Sequence, residues 1–219
     1  MNAVHDMCEE AQAVSGPAGE AIATVRPYST RSWGDLKRMK LPPPEIVWGG
    51  FALGSTGLII GPGGIGKSRA SLNIAFHQVL GMPFAGIPTA ARPLRHQIMG
   101  SENSMYRLHD DIEHMSGGLS ESKLDLLAEH IELATLEAPE DAFISLSSDE
   151  NIEKWKATLQ RFKPDVLWVD PWGDVLDGDG NSDEDVRATL TRLRQLLHSA
   201  NPQAALIVLA HSRYGTKNF

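Results

Sequence analysis

The sequence predicts an α/β protein in which a mostly parallel sheet lies between two layers of helices. Three observations carry that expectation. Apolar runs of strand length alternate with segments of helical period along most of the 219 residues. One run, Asp165-Val166-Leu167-Trp168-Val169-Asp170, offers apolar side chains to both faces, as an interior strand of a parallel sheet requires. Another, Gly57-Leu58-Ile59-Ile60, leads directly into Gly61-Pro62-Gly63-Gly64-Ile65-Gly66-Lys67-Ser68. That octet has the P-loop spacing of glycine, four residues, glycine, lysine and serine, with a helical period behind it.

Taken in order, residues 1–32 are rich in Ala, Gly, Glu and Ser without sustained period. They read as a disordered or loosely ordered tail, with a short helix near Cys8 to Ala13. Residues 33–56 read as an extended lead-in, because Pro42-Pro43-Pro44 forbids helix and Glu45 to Phe51 continues extended. The basic run Lys37 to Lys40 reads as a solvated face. Trp33, Trp48 and Phe51 either pack on an adenine base or a neighbouring subunit, or seal the edge of the sheet. The core occupies residues 57–219. Gly57 to Ile60 is expected as a short buried strand, and Leu72, Ala75, Phe76 and Val79 mark the buried face of the helix after the P-loop. Gly81-Met82-Pro83 stops that helix, and a loop runs to Pro93.

His96 to Gly100 is the second strand, ending in Ser101-Glu102-Asn103-Ser104. The next helix places Met105, Leu108, Ile112 and Met115 on one face, which is expected to be buried, and Gly117-Gly118 closes it. A helix from Ser120 to about Ala128 leads to a third strand at Ile131 to Thr135. Ser147-Ser148-Asp149-Glu150 carries a capping-box pattern before a helix that buries Ile152, Trp155, Leu159 and Phe162 and stops at Lys163-Pro164. The fourth strand, Asp165 to Asp170, is followed by an acidic loop at 177–183 and a helix burying Val186, Leu190, Leu193 and Leu197. Ala205 to Ala210 is the fifth strand.

The chemistry gathers at the carboxyl edge of this sheet, where ligands of parallel α/β sheets sit. In the P-loop, Gly61, Gly63, Gly64 and Gly66 let the backbone turn tightly around Pro62 and Ile65, so that successive N–H groups face one concavity. The first helical turn, running through Ser68 and Arg69, adds unpaired N–H groups and the positive end of the helix dipole. Lys67 can reach β- and γ-phosphates, and the Ser68 hydroxyl is placed to ligate Mg²⁺. A nucleoside triphosphate, ATP, with Mg²⁺ is the implied ligand. Glu102, Asp170, Asp174 and His211 each lie just past an apolar strand. Asp170 has the Walker B placement and is expected to bind Mg²⁺, usually through water. Pro171 stands where many P-loop ATPases carry a glutamate, so the general base falls to Glu102, provided its strand neighbours Asp170. Glu102 could instead be an N-terminal charge favouring the helix dipole. His211 either senses the γ-phosphate or is structural. Asp177, Asp179 and Asn181 match the opening of an EF-hand loop, but Ser182 and Ala188 stand where it needs glycine and a bidentate glutamate. A loop capped into the next helix by Ser182 or Asp183 fits better.

Composition sets outer bounds. A net charge of −8 argues against a basic surface that coats nucleic acid, while leaving binding by a few loops open. One cysteine, Cys8, argues against a disulfide framework. No apolar run reaches membrane-spanning length and the N-terminus lacks the form of a signal peptide, so a cytoplasmic protein without a membrane partner is expected.

Gly61–Ser68, Ser101-Glu102-Asn103, Val169-Asp170-Pro171 and Leu209-Ala210-His211 together resemble the RecA-like P-loop ATPases. The resemblance is nearest to the RepA-type hexameric replicative helicase group and its plasmid and phage relatives. The proline lead-in and the acidic loop with Asn181, Asp183 and Glu184 resemble that group too. It implies a three-layer RecA-like core, Glu102 as catalytic base, Asp170 as the magnesium-side carboxylate, and His211 as a coupling residue. It also implies a homo-oligomeric ring with an arginine finger from the neighbour, acting on single-stranded DNA. Two departures stand out. Ala210 replaces the first of two adjacent histidines, with Arg213 and Lys217 following, and family members continue through further strands. The core is therefore expected to be incomplete at its C-terminus. An alternative in another class follows, a nucleotide-gated assembly or binding module with little turnover. A small-molecule kinase is a third reading, without an Arg-rich lid to support it.

Overall fold

A computed structural model describes residues 28–101, 104–134 and 144–212. The helix expected near Cys8 to Ala13 lies outside the described residues. The chain divides after Pro42 into two units. In the first, the described residues form one helix, α1 (Trp33–Arg38). Ser32 caps it by accepting from the Asp35 N–H, and Arg38 pairs with Asp35 at 2.8 Å. This corrects the extended reading of the lead-in from Trp33. A serine cap and basic residues in the last turn favour one turn of helix before the prolines take effect. Trp33 remains 84% exposed.

The second unit opens with an antiparallel pair, β1 (Ile46–Trp48) and β2 (Phe51–Ala52). The turn between them needs positive φ at two successive residues, and Gly49 and Gly50 supply it. The main sheet contains β3 (Thr56–Gly61), β4 (His96–Gly100), β5 (Ile131–Leu133), β6 (Val166–Asp170) and β7 (Ala205–His211). All its pairings are parallel, and its order is β3-β7-β6-β4-β5. The expectation of an α/β fold with a parallel sheet and helices is met.

Those helices are α2 (Lys67–Val79), α3 (Met105–Ser116), α4 (Glu121–His130), α5 (Asp149–Phe162), α6 (Trp172–Val175) and α7 (Asp183–Ala200). Every residue of β6 is buried, and alternation explains why the whole strand must be apolar. Val166 and Trp168 enter one cluster with Leu72, Ile74 and Ala75 of α2. Leu167 and Val169 enter the other with Trp155 and Leu159 of α5 and Leu193 and Leu197 of α7. Each large side chain fully buried in these clusters contributes about 1.5–3 kcal/mol of transfer free energy.

Four local expectations are corrected. The P-loop strand is an edge strand, with Leu58 54% and Ile60 59% exposed, rather than buried throughout. No residue of α3 is buried: Met105 and Ile112 are exposed, and Met115 alone of the four packs against the core cluster. Ser148, one residue later than the capping box implies, caps α5 by accepting from the Asn151 N–H. The Asn151 side chain instead bonds the Ser145 carbonyl, so Glu150 has no part in the cap. In α7, Thr189 and Leu196 are buried while Val186 is half-buried. The short α6, which the sequence pattern did not announce, begins directly after Pro171.

Candidate nucleotide site

The loop from β3 to α2 turns on Gly64 and Gly66, whose φ angles of 77° and 90° are strained for any residue with a Cβ. A Cβ on Gly61 would meet the Cδ1 end of the exposed Ile65 side chain, which packs back over the end of its own strand. Gly66 is the N-cap of α2 and offers no side-chain acceptor to the first helical turn. The N–H groups of that turn are therefore suited to an anionic ligand.

Lys67 is buried, which is uncommon for lysine unless its ammonium is satisfied. Its Nζ donates to the Gly61 and Pro62 carbonyls, both at 2.9 Å, and lies 3.3 Å from His211 Nδ1. Parallel pairing explains the third contact, since Gly61 and His211 are register partners at the ends of β3 and β7. Against an ammonium donor, Nδ1 must be the accepting nitrogen of the ring. His211 also flanks the loop itself, since its Nδ1 would stand 3.7 Å from a Cβ built on Gly63.

Asp170 ends β6 and is 2% exposed. It lines one small cavity with Ser68, Arg69, Leu72 and Asp111. A hydroxyl and a carboxylate on one cavity form a hard-oxygen donor set, which fits Mg²⁺ with the rest of its shell kept as water. Gly100 is the register partner of Asp170, and a Cβ there would stand 2.5 Å from the Asp170 carbonyl oxygen. Only glycine lets the two strands approach so closely. β4, which ends two residues before Glu102, thus neighbours the strand of Asp170; Glu102 itself lies outside the described residues, as do Arg213 and Lys217. Arg69 is engaged elsewhere, its Nη2 2.8 Å from Asp111 Oδ1. Asp174 is exposed on α6.

Two of the three lead-in aromatics, Trp48 and Phe51, are packed. The Trp48 indole donates to the Phe84 carbonyl at 3.1 Å, and Trp48 and Phe51 both pack against the α2-side cluster. In the acidic loop, Asp179 accepts from the Asn181 N–H and Asp177 accepts from Arg192. Ser182 caps α7, as one of the two expected residues.

Sequence reasoning missed a polar network beneath the site. His96 is fully buried; its Nδ1 accepts from the Trp168 indole at 3.0 Å. Its Nε2–H therefore donates to Gln78 Oε1 at 2.9 Å, and the same oxygen accepts from the Leu94 N–H. Gln78 Nε2 donates to the Arg92 carbonyl at 2.6 Å. Burial pushes the His96 imidazole down to about 3, with the Asp165 charge partly offsetting it. The network ties α2 to β4 and to the strand ending in Asp170. Its only sequence signal is Gln and His at positions where the periodicity calls for apolar residues.

A family model described as AAA domain matches residues 24–217. Among solved structures, the crystal structure of a KaiC-like protein from the hyperthermophilic archaeon Pyrococcus horikoshii OT3 is similar at TM-score 0.47 and 16% identity. The match covers 75% of this chain and 64% of that one, less than two thirds of its length. No curated protein matches the sequence. Among the described residues, no helix is long and apolar enough to cross a membrane.

Proposed function

The chain belongs to the AAA domain family, and on that premise we propose that it hydrolyses ATP with Mg²⁺ as a RepA-like motor on single-stranded DNA. The observation that carries the reading is the meeting at one sheet edge of the Lys67 ammonium, the Ser68 hydroxyl and the Asp170 carboxylate. The P-loop amides and Lys67 bind the β- and γ-phosphates, Lys67 exchanging its carbonyl contacts for phosphate oxygens. Ser68 and Asp170 hold the ion, which when bound neutralises charge on the phosphoryl oxygens. Glu102 orients the attacking water and accepts its proton. His211, touching Lys67, couples occupancy of the loop to the end of β7. A ring of identical chains supplies an arginine from the neighbour, and DNA-contacting loops face its channel.

The test is steady-state ATPase activity of the intact chain with and without single-stranded DNA. Turnover stimulated by DNA is expected. A chain that binds MgATP and hydrolyses none would overturn the motor reading. The second reading, a nucleotide-gated assembly module, keeps contact between chains without the motor. Leu58, Ile60 and Ile65 are all exposed on the P-loop strand and its loop, apolar groups suited to a neighbouring chain. Nucleotide-dependent association with negligible turnover would select it.

A further inference from the structure

Helix α3 is weakly seated for a helix of this core. None of its residues is buried, Tyr106 is 90% exposed, and of its apolar residues Met115 alone joins a core cluster. Yet Asp111, in its middle, keeps only 13% of its side chain in solvent. Two arginines lie against it. Arg69 Nη2 lies 2.8 Å from one carboxylate oxygen, and Arg107 Nε, one turn back on α3, lies 3.9 Å from the other. Arg69 directly follows Ser68, and Arg69, Leu108 and Asp111 line the same cavity as Ser68 and Asp170. Moreover, α3 begins five residues after Gly100, the register partner of Asp170.

The geometry points to Asp111 as a positioning residue for ATP hydrolysis: its grip on Arg69 fixes α3 against the metal-side residues of the P-loop helix. This rests on the ATPase reading above. Exposed ion pairs in general add little stability, and Arg69 keeps 58% of its side chain in solvent. The effect of this pair is therefore on placement. With so little apolar packing under α3, losing the bridge lets the helix leave its seat while the P-loop and its phosphate contacts stay intact. Misplacement of groups near a reaction centre by about 1 Å can cost roughly a hundredfold in rate.

The experiment compares the parent chain with Asp111→Asn and Asp111→Glu, reading kcat at saturating MgATP, affinity for a non-hydrolysable MgATP analogue, and amide exchange in α3. Asp111→Asn should lower kcat roughly tenfold or more, on the scale set by misplacement. Its affinity for the analogue should stay near the parent's, and exchange in α3 should quicken. Asp111→Glu, which keeps the charge, should recover most of the parent's kcat. Equal kcat in the parent and Asp111→Asn would overturn the positioning role while leaving the ATPase reading standing. A parent that binds the analogue but turns over no ATP would instead fail that reading, and this one with it. Should Asp111→Asn not fold, Arg69→Gln breaks the same bridge from its exposed side, and a kcat equal to the parent's in that variant overturns the proposal equally.

Discussion

Lys67 has three N–H donors, and they face two carbonyls and one imidazole nitrogen. A triphosphate offers better acceptors at the same place, because a charge-assisted hydrogen bond contributes more than a neutral one. Lys67→Ala should therefore weaken MgATP binding by roughly ten- to a hundredfold, from the ~1.5–3 kcal/mol of such a bond. Titration calorimetry reads this directly, and unchanged affinity would place the phosphates elsewhere. Glu102→Gln should preserve that affinity and slow hydrolysis by roughly 10²–10⁴-fold, the scale of general-base loss. Single-turnover kinetics decide it, and a turnover equal to the parent's would move the base to another group, with Asp174 next in line. Gly100→Ala tests the strand contact beneath both. Its Cβ would meet backbone rather than a flexible side chain, so β4 and β6 must part, at a cost of about 1–3 kcal/mol typical of overpacking. A urea midpoint equal to the parent's would mean the strands have room to spare. The placement of the glycine-rich loop and of Asp170 was legible because it follows from local spacing and from the strand before each. Asp111 was not legible, since its partner Arg69 lies on another helix and no period links the two.

Elements were legible where one period governs them. α2, α5 and β6 follow their apolar patterns because each packs its expected face into a closed cluster. α3 carries an equally clear amphipathic pattern, yet of that face Met115 alone packs on a core cluster, and the ion pair that meets the helix is not encoded in the pattern. β3 fails for a topological reason, since among the described residues β7 alone pairs with it, and strand order is not written in any one segment. The His96 network binds three elements and carries a pH signature. In the folded protein the imidazole stays neutral down to about 3, whereas the unfolded chain takes up a proton near the ordinary value of 6.5. Between those values the unfolded state binds more protons, so stability falls as pH falls, by about 1.4 kcal/mol per unit. From about pH 7 to about pH 5 the parent should lose about 2 kcal/mol more than a His96→Gln variant. Equal losses in urea titrations of the two would show that His96 is protonated in the fold or solvated there. Gln78→Leu should destabilise at neutral pH by several kcal/mol, since it strands the His96 Nε2–H and the Leu94 N–H without acceptors at roughly 1–3 kcal/mol each.

At the scale of the molecule, the sheet order puts the glycine-rich loop on an edge strand and the Asp170 carboxylate two strands inward. β7 lies between them, so its terminal His211 is the sheet residue able to touch Lys67 while its strand adjoins that of Asp170. The fold class followed from alternation of periods, but this order did not, because parallel crossovers leave several arrangements open. The P-loop strand carries exposed Leu58 and Ile60, with Ile65 on the loop beyond it. Scattered apolar residues are ordinary on a surface, whereas three of them beside a nucleotide loop suit a contact formed when the loop is occupied. Sizing by light scattering should therefore give a larger mass with MgATP than without it, whichever of the two functional readings holds. Lys67→Ala should keep the smaller mass under both conditions, because association would follow loop occupancy rather than concentration. If the parent's mass is the same with and without MgATP while calorimetry reports binding, nucleotide does not control assembly, and the exposed residues need another explanation.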